Sequence, residues 1–225
     1  MDLNTLENIS IKRVIERGTA KILEQNENCI LVYDEVSKAL MLDCVNIDEA
    51  ERVLEANDVE NASLLIVSNT SLGKIIYEKY GFEDKLECFS LAYLKGEMPA
   101  KLGGLSFREA TMDDFPFISS EYDLISEDEL KEVLERRNIV LGYTDEGIVG
   151  FIGEHLEGSI GLLFILPEFR RRGYASELEK EMFRRTLAKG FIPFGQVVKT
   201  NEASLKLQES MGLTRSENTV LWMWR

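Results

Sequence analysis

Hydrophobic positions along this chain change period in a regular order that predicts strands alternating with helices. In the first half, strand-length apolar stretches cover Cys29–Tyr33, Lys38–Asp43, Leu64–Ser68 and Glu87–Leu94. Apolar residues at helical spacing predict helices over Asp48–Ala56 and Leu72–Tyr80. In the second half, strands are expected at Leu105–Ala110, Ile139–Tyr143, Ile148–His155, Ile160–Leu166, Phe194–Lys199 and Thr219–Trp224. Helices are expected near Asp113–Glu121 and Glu127–Arg136, from about Gly173 to Lys189, and at Glu202–Met211. Thr144-Asp145-Glu146-Gly147 reads as a hairpin turn. Trp222 and Trp224 have the same parity on the last strand and read as one core face. This order predicts an α+β fold with a mixed sheet. Gly96, Pro99, Gly103 and Gly104 break the pattern, so the expected domains are residues 1–100 and 101–225.

One junction carries chemistry. The run Leu162–Leu166 is short, apolar and strand-like, and it ends at Pro167, which has no N–H to donate to a ladder. Arg170, Arg171 and Arg172 follow, then Gly173, from which Ala175, Leu178, Met182, Phe183 and Leu187 recur at helical spacing. A helix start leaves N–H groups unpaired and presents the positive end of the macrodipole, while a glycine there lets an anion approach closely. Arginines at that end oppose the dipole, which an anionic ligand would explain. A solvated, basic helix start is the plainer alternative.

Composition narrows the partners. With 26 basic and 40 acidic residues the formal net charge is −14 and the sequence pI about 4.7, which disfavours nucleic acid and anionic membranes. Residues 1–100 carry 10 basic and 19 acidic groups and the remainder 16 and 21, so positive charge concentrates in the half with the arginines. No apolar run reaches the roughly 18 residues of a membrane span and the first ten residues are polar, so a cytoplasmic location is expected. Cys29, Cys44 and Cys88 are odd in number and widely spaced, which suits buried reduced thiols rather than disulfides or a metal site.

Arg170-Arg171-Arg172-Gly173-Tyr174-Ala175, after an apolar strand and a proline, resembles the acyl-CoA signature of the GNAT acetyltransferase superfamily, Arg or Gln, x, x, Gly, x, Gly or Ala. The stretch Asn201–Leu213 resembles that superfamily's Asn-x-Ala-x-x-x-Leu-Tyr-x-x-x-Gly-Phe, and it follows a strand as the pattern requires. The resemblance covers the second half and implies the GNAT N-acyltransferase fold. The first half echoes it weakly, with a strand, Asn69, a helix and Gly81-Phe82, as in a degenerate GNAT-like domain. Where the cradle would stand, it has Cys44-Val45-Asn46-Ile47-Asp48, without glycine or arginine, so this half is not expected to bind CoA.

The resemblance implies further roles. Backbone groups of Leu163, Phe164 and Ile165 would pair with the pantetheine arm, and Arg170, Arg171, Arg172, Gly173, Tyr174, Ala175 and Ser176 would surround the diphosphate. Asn201 and Ser204 would reach the cofactor from the opposite wall; Asn201 also suits a helix N-cap. An amine of pKa about 10.4 is roughly 0.04% neutral at pH 7, so a base is needed, and Glu154 on the strand beside the cofactor strand is the candidate. His155 would point to the opposite face. Gln208 occupies the position of the usual tyrosine acid and has no proton to give. Tyr122, Tyr143 and Tyr174 are alternative acids or packing residues. The expected activity is acyl transfer from acetyl-CoA to a primary amine of a small molecule or protein, with a non-catalytic CoA-binding regulatory module as the alternative. No metal cofactor is expected, and a homodimer is one assembly the resemblance allows.

Overall fold

The computed structural model describes residues 1–57, 59 and 62–225. They divide into two compact units, Met1–Ala92 with Gln196–Arg225, and Tyr93–Gly195. The compact units do not follow chain order, whereas the sequence division at residue 100 does, because the last strands pair with strands of the first half.

In the first unit, α1 (Ile9–Arg17) precedes β1 (Ala20–Gln25), β2 (Cys29–Asp34) and β3 (Leu40–Cys44). Then come α2 (Ile47–Ala56), β4 (Leu64–Val67), α3 (Thr70–Tyr80) and β5 (Asp84–Ala92). The sheet runs β1-β2-β3-β4-β11-β5-β10, where β10 is Phe194–Val198 and β11 is Thr214–Trp224. The last strand thus lies between two strands of the first half, antiparallel to both. Period-2 alternation explains why β2 reads as an unbroken apolar run. Cys29 and Leu31 pack with α2 and α3 residues such as Val53, Leu54 and Ile76, whereas Ile30 and Val32 pack with Ile11 and Val14 of α1.

Two elements are absent from the expected order. Helix α1 does carry an apolar face, with Ile9, Ile11 and Val14 buried, whereas β1 is an edge strand whose Ile22 and Leu23 remain exposed and which carries no strong apolar period. The final strand begins at Thr214 rather than Thr219. Its polar first half pairs with β5, and Ser216, buried there, accepts the Ser90 N–H at 3.1 Å. The tryptophans are half-buried, while Leu221 and Met223 form the buried face, so the expected core parity is reversed. The cysteine expectation is also corrected: Cys29 and Cys44 are direct partners across β2 and β3 and form a disulfide, leaving Cys88 free. Strand register brings the two together, and spacing along the chain does not show it.

Asp34 ends β2 fully buried. It accepts hydrogen bonds from Arg17 Nη2 at 3.0 Å and from the Ser37 N–H at 2.9 Å, and also from the Thr19 and Ser37 hydroxyls. Burial alone would raise its carboxyl, but the Ser37 and Thr19 hydrogen bonds and the Arg17 charge outweigh it and the net direction is down. Its stabilising contribution is therefore present above its ordinary value of 3.8 and is lost as the pH falls through the lower folded value. Asp34→Ala is expected to cost about 3 kcal/mol by removing the acceptor of the Thr19 and Ser37 donors and one partner of Arg17. Chemical denaturation at pH 7 reads this directly, and the difference from wild type should shrink on acidification.

In the second unit, β6 (Ser106–Glu109), β7 (Ile139–Thr144), β8 (Gly147–Glu154) and β9 (Ile160–Ile165) form an antiparallel sheet in chain order. Helices α4 (Phe115–Glu121) and α5 (Glu127–Glu135) join β6 to β7, and α6 (Tyr174–Ala188) follows β9. The expected turn closes β7 on β8, with Thr144 opposite Gly147 at φ +124°. Gly142 on β7 lets α6 approach, since an added Cβ would lie 3.0 Å from Leu105 Cδ1 and 3.1 Å from Leu178 Cδ2. Glu177 Oε2 accepts the N–H groups of Gly104 at 2.9 Å and Leu105 at 3.1 Å, holding the segment before β6 against this helix.

Candidate active site

Strand β9 has one sheet neighbour, β8, so its other edge lacks a ladder within this sheet. Phe151 pairs with Phe164 and Gly153 with Gly161, which leaves Ile152 opposite both Leu162 and Leu163. That is a β-bulge, and Leu162 takes φ +50° while almost fully buried. Gly150 makes the close pairing feasible: a Cβ there would lie 2.1 Å from the Phe164 carbonyl oxygen. Leu163, Phe164 and Ile165 are half-buried along this strand.

Pro167–Phe169 form a 3-10 turn. Arg171 at φ +65° and Gly173 at φ +86° then bend the chain into the first turn of α6. The helix starts at Tyr174 with Gly173 as N-cap and no side-chain cap, so the first N–H groups lack the partner a Ser or Asp would supply. Gly173 is exposed, and an added Cβ would meet nothing within 4 Å, so the approach to the helix start is open. Arg170 Nε donates to the Ile165 carbonyl at 2.9 Å and its guanidinium lies over the Phe164 ring. Arg172 lies over Phe169 and 3.7 Å from Glu146, while Arg171 is exposed. Arg170 is thereby tied to the strand end, and Arg171 and Arg172 remain on the open side of the turn. An uncapped helix start, an exposed glycine and two solvent-facing guanidinium groups fit the diphosphate of a CoA.

The equivalent stretch of the first half is built the opposite way. Asn46 caps α2 by accepting the Glu49 N–H at 3.0 Å, and Asp48 and Glu49 occupy its first turn. Glu49 is held at about 2, chiefly by the Arg52 hydrogen bond. A capped, anionic helix start opposes a phosphate.

Glu154 is buried at the end of β8 and binds α6 through both oxygens, with Thr186 Oγ1 at 2.8 Å and Lys189 Nζ at 3.1 Å. His155 faces another helix, with Nδ1 3.8 Å from Glu129 of α5. The alternation of a strand thus sends neighbouring side chains to different helices. Burial lowers the His155 pKa, yet the Glu129 hydrogen bond and the charges of Glu157 and Glu129 outweigh it, so the net direction is up. Its stabilising contribution is full below the ordinary 6.5 and is lost as the pH rises through the higher folded value. Melting temperatures measured from about pH 6 to pH 9 should show the difference between wild type and His155→Gln narrowing as the solution becomes alkaline.

Tyr122 was one of three candidate acids, and its placement could not be read from the sequence. Its phenol is hydrogen-bonded to the Leu162 backbone at the bulge, and its ring meets Phe151 edge-on at 6.2 Å. Burial pushes it up to about 12, and the Leu162 bond opposes this only in part. Tyr174 packs against Phe169, and Tyr143 is exposed on β7. Asn201, Ser204 and Gln208 lie on α7 (Glu202–Ser210), which belongs to the first unit. Asn201 Oδ1 caps this helix by accepting the Ser204 N–H at 3.1 Å, as an N-cap should, and Gln208 is buried. Among the described residues, no group of three His, Cys, Asp or Glu could hold a metal ion, and no helix is long and apolar enough to cross a membrane.

The sheet with its bulged edge strand, followed by a glycine-opened helix, is the arrangement of the GNAT fold, and the chain has that fold. Residues 140–223 match the family model described as FR47-like protein. A Drosophila protein of known X-ray structure superposes with a TM-score of 0.64 at 15% identity, over 98% of this chain and 88% of that one. A GCN5-related N-acetyltransferase from Kribbella flavida gives 0.59 at 9% identity, over 97% and 93%. A GCN5-related N-acetyltransferase-like protein from Streptococcus suis gives 0.57 at 14%, over 95% and 93%. No curated protein matches the sequence.

Proposed function

We propose that this protein is an acyl-CoA-dependent N-acyltransferase that uses acetyl-CoA as donor and a primary amine of a small molecule or protein as acceptor. The observation that carries this reading is the uncapped start of α6 at Gly173, set after the free edge of β9 and beside Arg171 and Arg172. In this reading the N–H groups of Tyr174, Ala175 and Ser176 hold the diphosphate with the two arginines, while Arg170 keeps the turn against Ile165. The backbone of Leu163, Phe164 and Ile165 pairs with the pantetheine amides. Acetyl-CoA, when bound, supplies an acyl group activated as a thioester. The protein is read as cytoplasmic, with residues 101–225 as the acetyltransferase domain and residues 1–100 as a degenerate GNAT-like domain.

Glu154 is the proposed base, and it is held in place by Thr186 and Lys189. Glu154→Gln is expected to lower kcat about 100-fold while leaving the affinity for acetyl-CoA unchanged. A variant that loses stability but keeps kcat would make Glu154 only a tie between β8 and α6.

A second reading, a CoA-binding regulatory module without catalysis, is favoured by Gln208, whose carboxamide can hydrogen-bond a departing sulfur but cannot protonate it. Thermal shifts with acetyl-CoA, longer acyl-CoAs and CoA test the cofactor that both readings require. Thiol release across a panel of amines then separates them: amine-dependent release supports transfer, and tight binding without release supports the module. Absence of any CoA-induced shift would remove both.

A further inference from the structure

The first unit contains a cavity of about 680 Å³ that the proposed cofactor site does not use. Its walls include Asp2, Glu7, Asp43, Glu87 and Glu217, against Lys74 and Lys199. Both lysines are committed to Glu87, with Nζ at 3.2 Å for Lys74 and 2.6 Å for Lys199. Burial would raise Glu87, but hydrogen bonds from Lys199, Thr219 and Lys74 prevail and hold it at about 2. The other carboxylates have no such compensation. Glu7 accepts the Asn218 N–H at 2.9 Å, and among the described residues no lysine or arginine pairs with Glu7, Asp43 or Glu217. Burial raises the Asp43 carboxyl, and Glu7 adds to the rise. The Asn8 hydrogen bond and the α-ammonium group of Met1 oppose this only in part.

Asn8 supplies an independent observation. It lines the cavity, is 3% exposed, and its Oδ1 has no hydrogen-bond partner among the described residues. The orientation of this amide is not arbitrary. Its Nδ2 donates to the Asp2 carbonyl at 3.0 Å and to Asp43 Oδ2 at 2.7 Å, and turning the group over would set its oxygen against these two acceptors. The orphan atom is therefore an acceptor, in the same amide that binds Asp43. Buried acceptors are normally satisfied, so a donor is missing.

The start of α3 also reaches the cavity, at Thr70 and Ser71, and would favour an anion. Asn69 caps it by accepting the Leu72 N–H at 3.2 Å, and the Thr70 hydroxyl donates to the Thr219 carbonyl at 2.7 Å, so part of that potential is already used.

We infer that this cavity is a binding site for a small organic cation, a primary ammonium or diamine that donates to Asn8 Oδ1 and pairs with the Asp43 carboxylate. The carboxylates of Glu7 and Glu217 add attraction without fixing position. The inference concerns binding alone and holds whether or not the protein transfers an acyl group.

Isothermal titration of the full chain, without acyl-CoA and at matched ionic strength, is the test, with putrescine and spermidine as probes and inorganic phosphate as the anionic counterpart. Saturable amine binding is expected, weakened about tenfold or more by Asp43→Asn and a few-fold by Glu217→Gln. Glu78→Gln, on exposed α3 surface outside the cavity, should bind as wild type. Should Asp43→Asn fail to fold, the Asn8 side-chain amide resonance of the wild-type protein is the second readout, and it should shift with putrescine. An unmoved Asn8 signal at saturating diamine, a preference for phosphate, or wild-type affinity in Asp43→Asn would overturn the inference.

Discussion

Valine at position 173 is expected to lower the affinity for acetyl-CoA by about 100-fold or more. The glycine has φ +86°, a conformation that a β-branched residue adopts only with strain. Nothing lies within 4 Å of an added Cβ, so the cost does not come from a clash inside the protein. It comes from backbone strain and from covering the open N–H groups of the first turn of α6, where each charge-assisted hydrogen bond to phosphate is worth about 1.5–3 kcal/mol. Two such bonds lost account for the expected change. Arg172→Ala, which removes an exposed charge and leaves the turn intact, should cost less, about tenfold. Calorimetric titration of both variants with acetyl-CoA gives the comparison. A Gly173→Val protein that melts earlier yet binds like wild type would show that the helix start does not hold the cofactor.

Alanine at Gly150 is expected to act on stability, by about 3 kcal/mol or more, lowering the melting temperature by about 6–12 °C. Here the added carbon would lie 2.1 Å from the Phe164 backbone oxygen, and the backbone of a paired strand cannot yield as a flexible side chain can. Strand β9 would have to shift away from β8, and the bulge at Leu162 would shift with it. Gly142→Ala is the internal comparison. Its Cβ would meet only side-chain atoms of Leu105 and Leu178 at 3.0–3.1 Å, so its cost should be clearly smaller. Calorimetric scans of the two variants read the order. Equal losses would mean that the close backbone approach at Gly150 is not what limits the site.

Much of the second half was legible because its signals are local. The apolar run before Pro167, the glycine before an amphipathic helix and the two-residue turn before Gly147 each depend on neighbours within one turn of chain. The same holds for the cap at Asn201, which accepts an N–H group three residues on, as residue type and position suggest. Strand β1 is not legible because it takes its form from pairing rather than from a periodic apolar face, whereas α1 does carry such a face and is simply absent from the expected elements. In α1, Ile11 and Val14 are buried against Ile30 and Val32, and β1 acquires its strand from β2 alone.

The candidate site divides along the same line. Gly173 and the three arginines were named from the sequence, but the differing placements of the arginines depend on where Ile165, Phe164 and Glu146 come to lie. Glu154 was chosen for its strand position, and only packing reveals that Thr186 and Lys189 take both of its oxygens. Tyr122 had no sequence signal, because its partner is a backbone group forty residues away at a bulge that register creates.

By itself the sequence determined the order of the strands and helices after β1, the anion-ready start of α6 and its resemblance to an acyl-CoA signature, since these follow from backbone preferences and side-chain types over a few residues. Tertiary structure alone decided that β11 lies between β4 and β5, that Cys29 faces Cys44, and that β9 bulges at Leu162. It also decided that Asn8 and Asp43, thirty-five residues apart, share a cavity with an acceptor left over. Strand pairing and burial act between residues distant in the chain, and they depend on register, which local propensity does not encode.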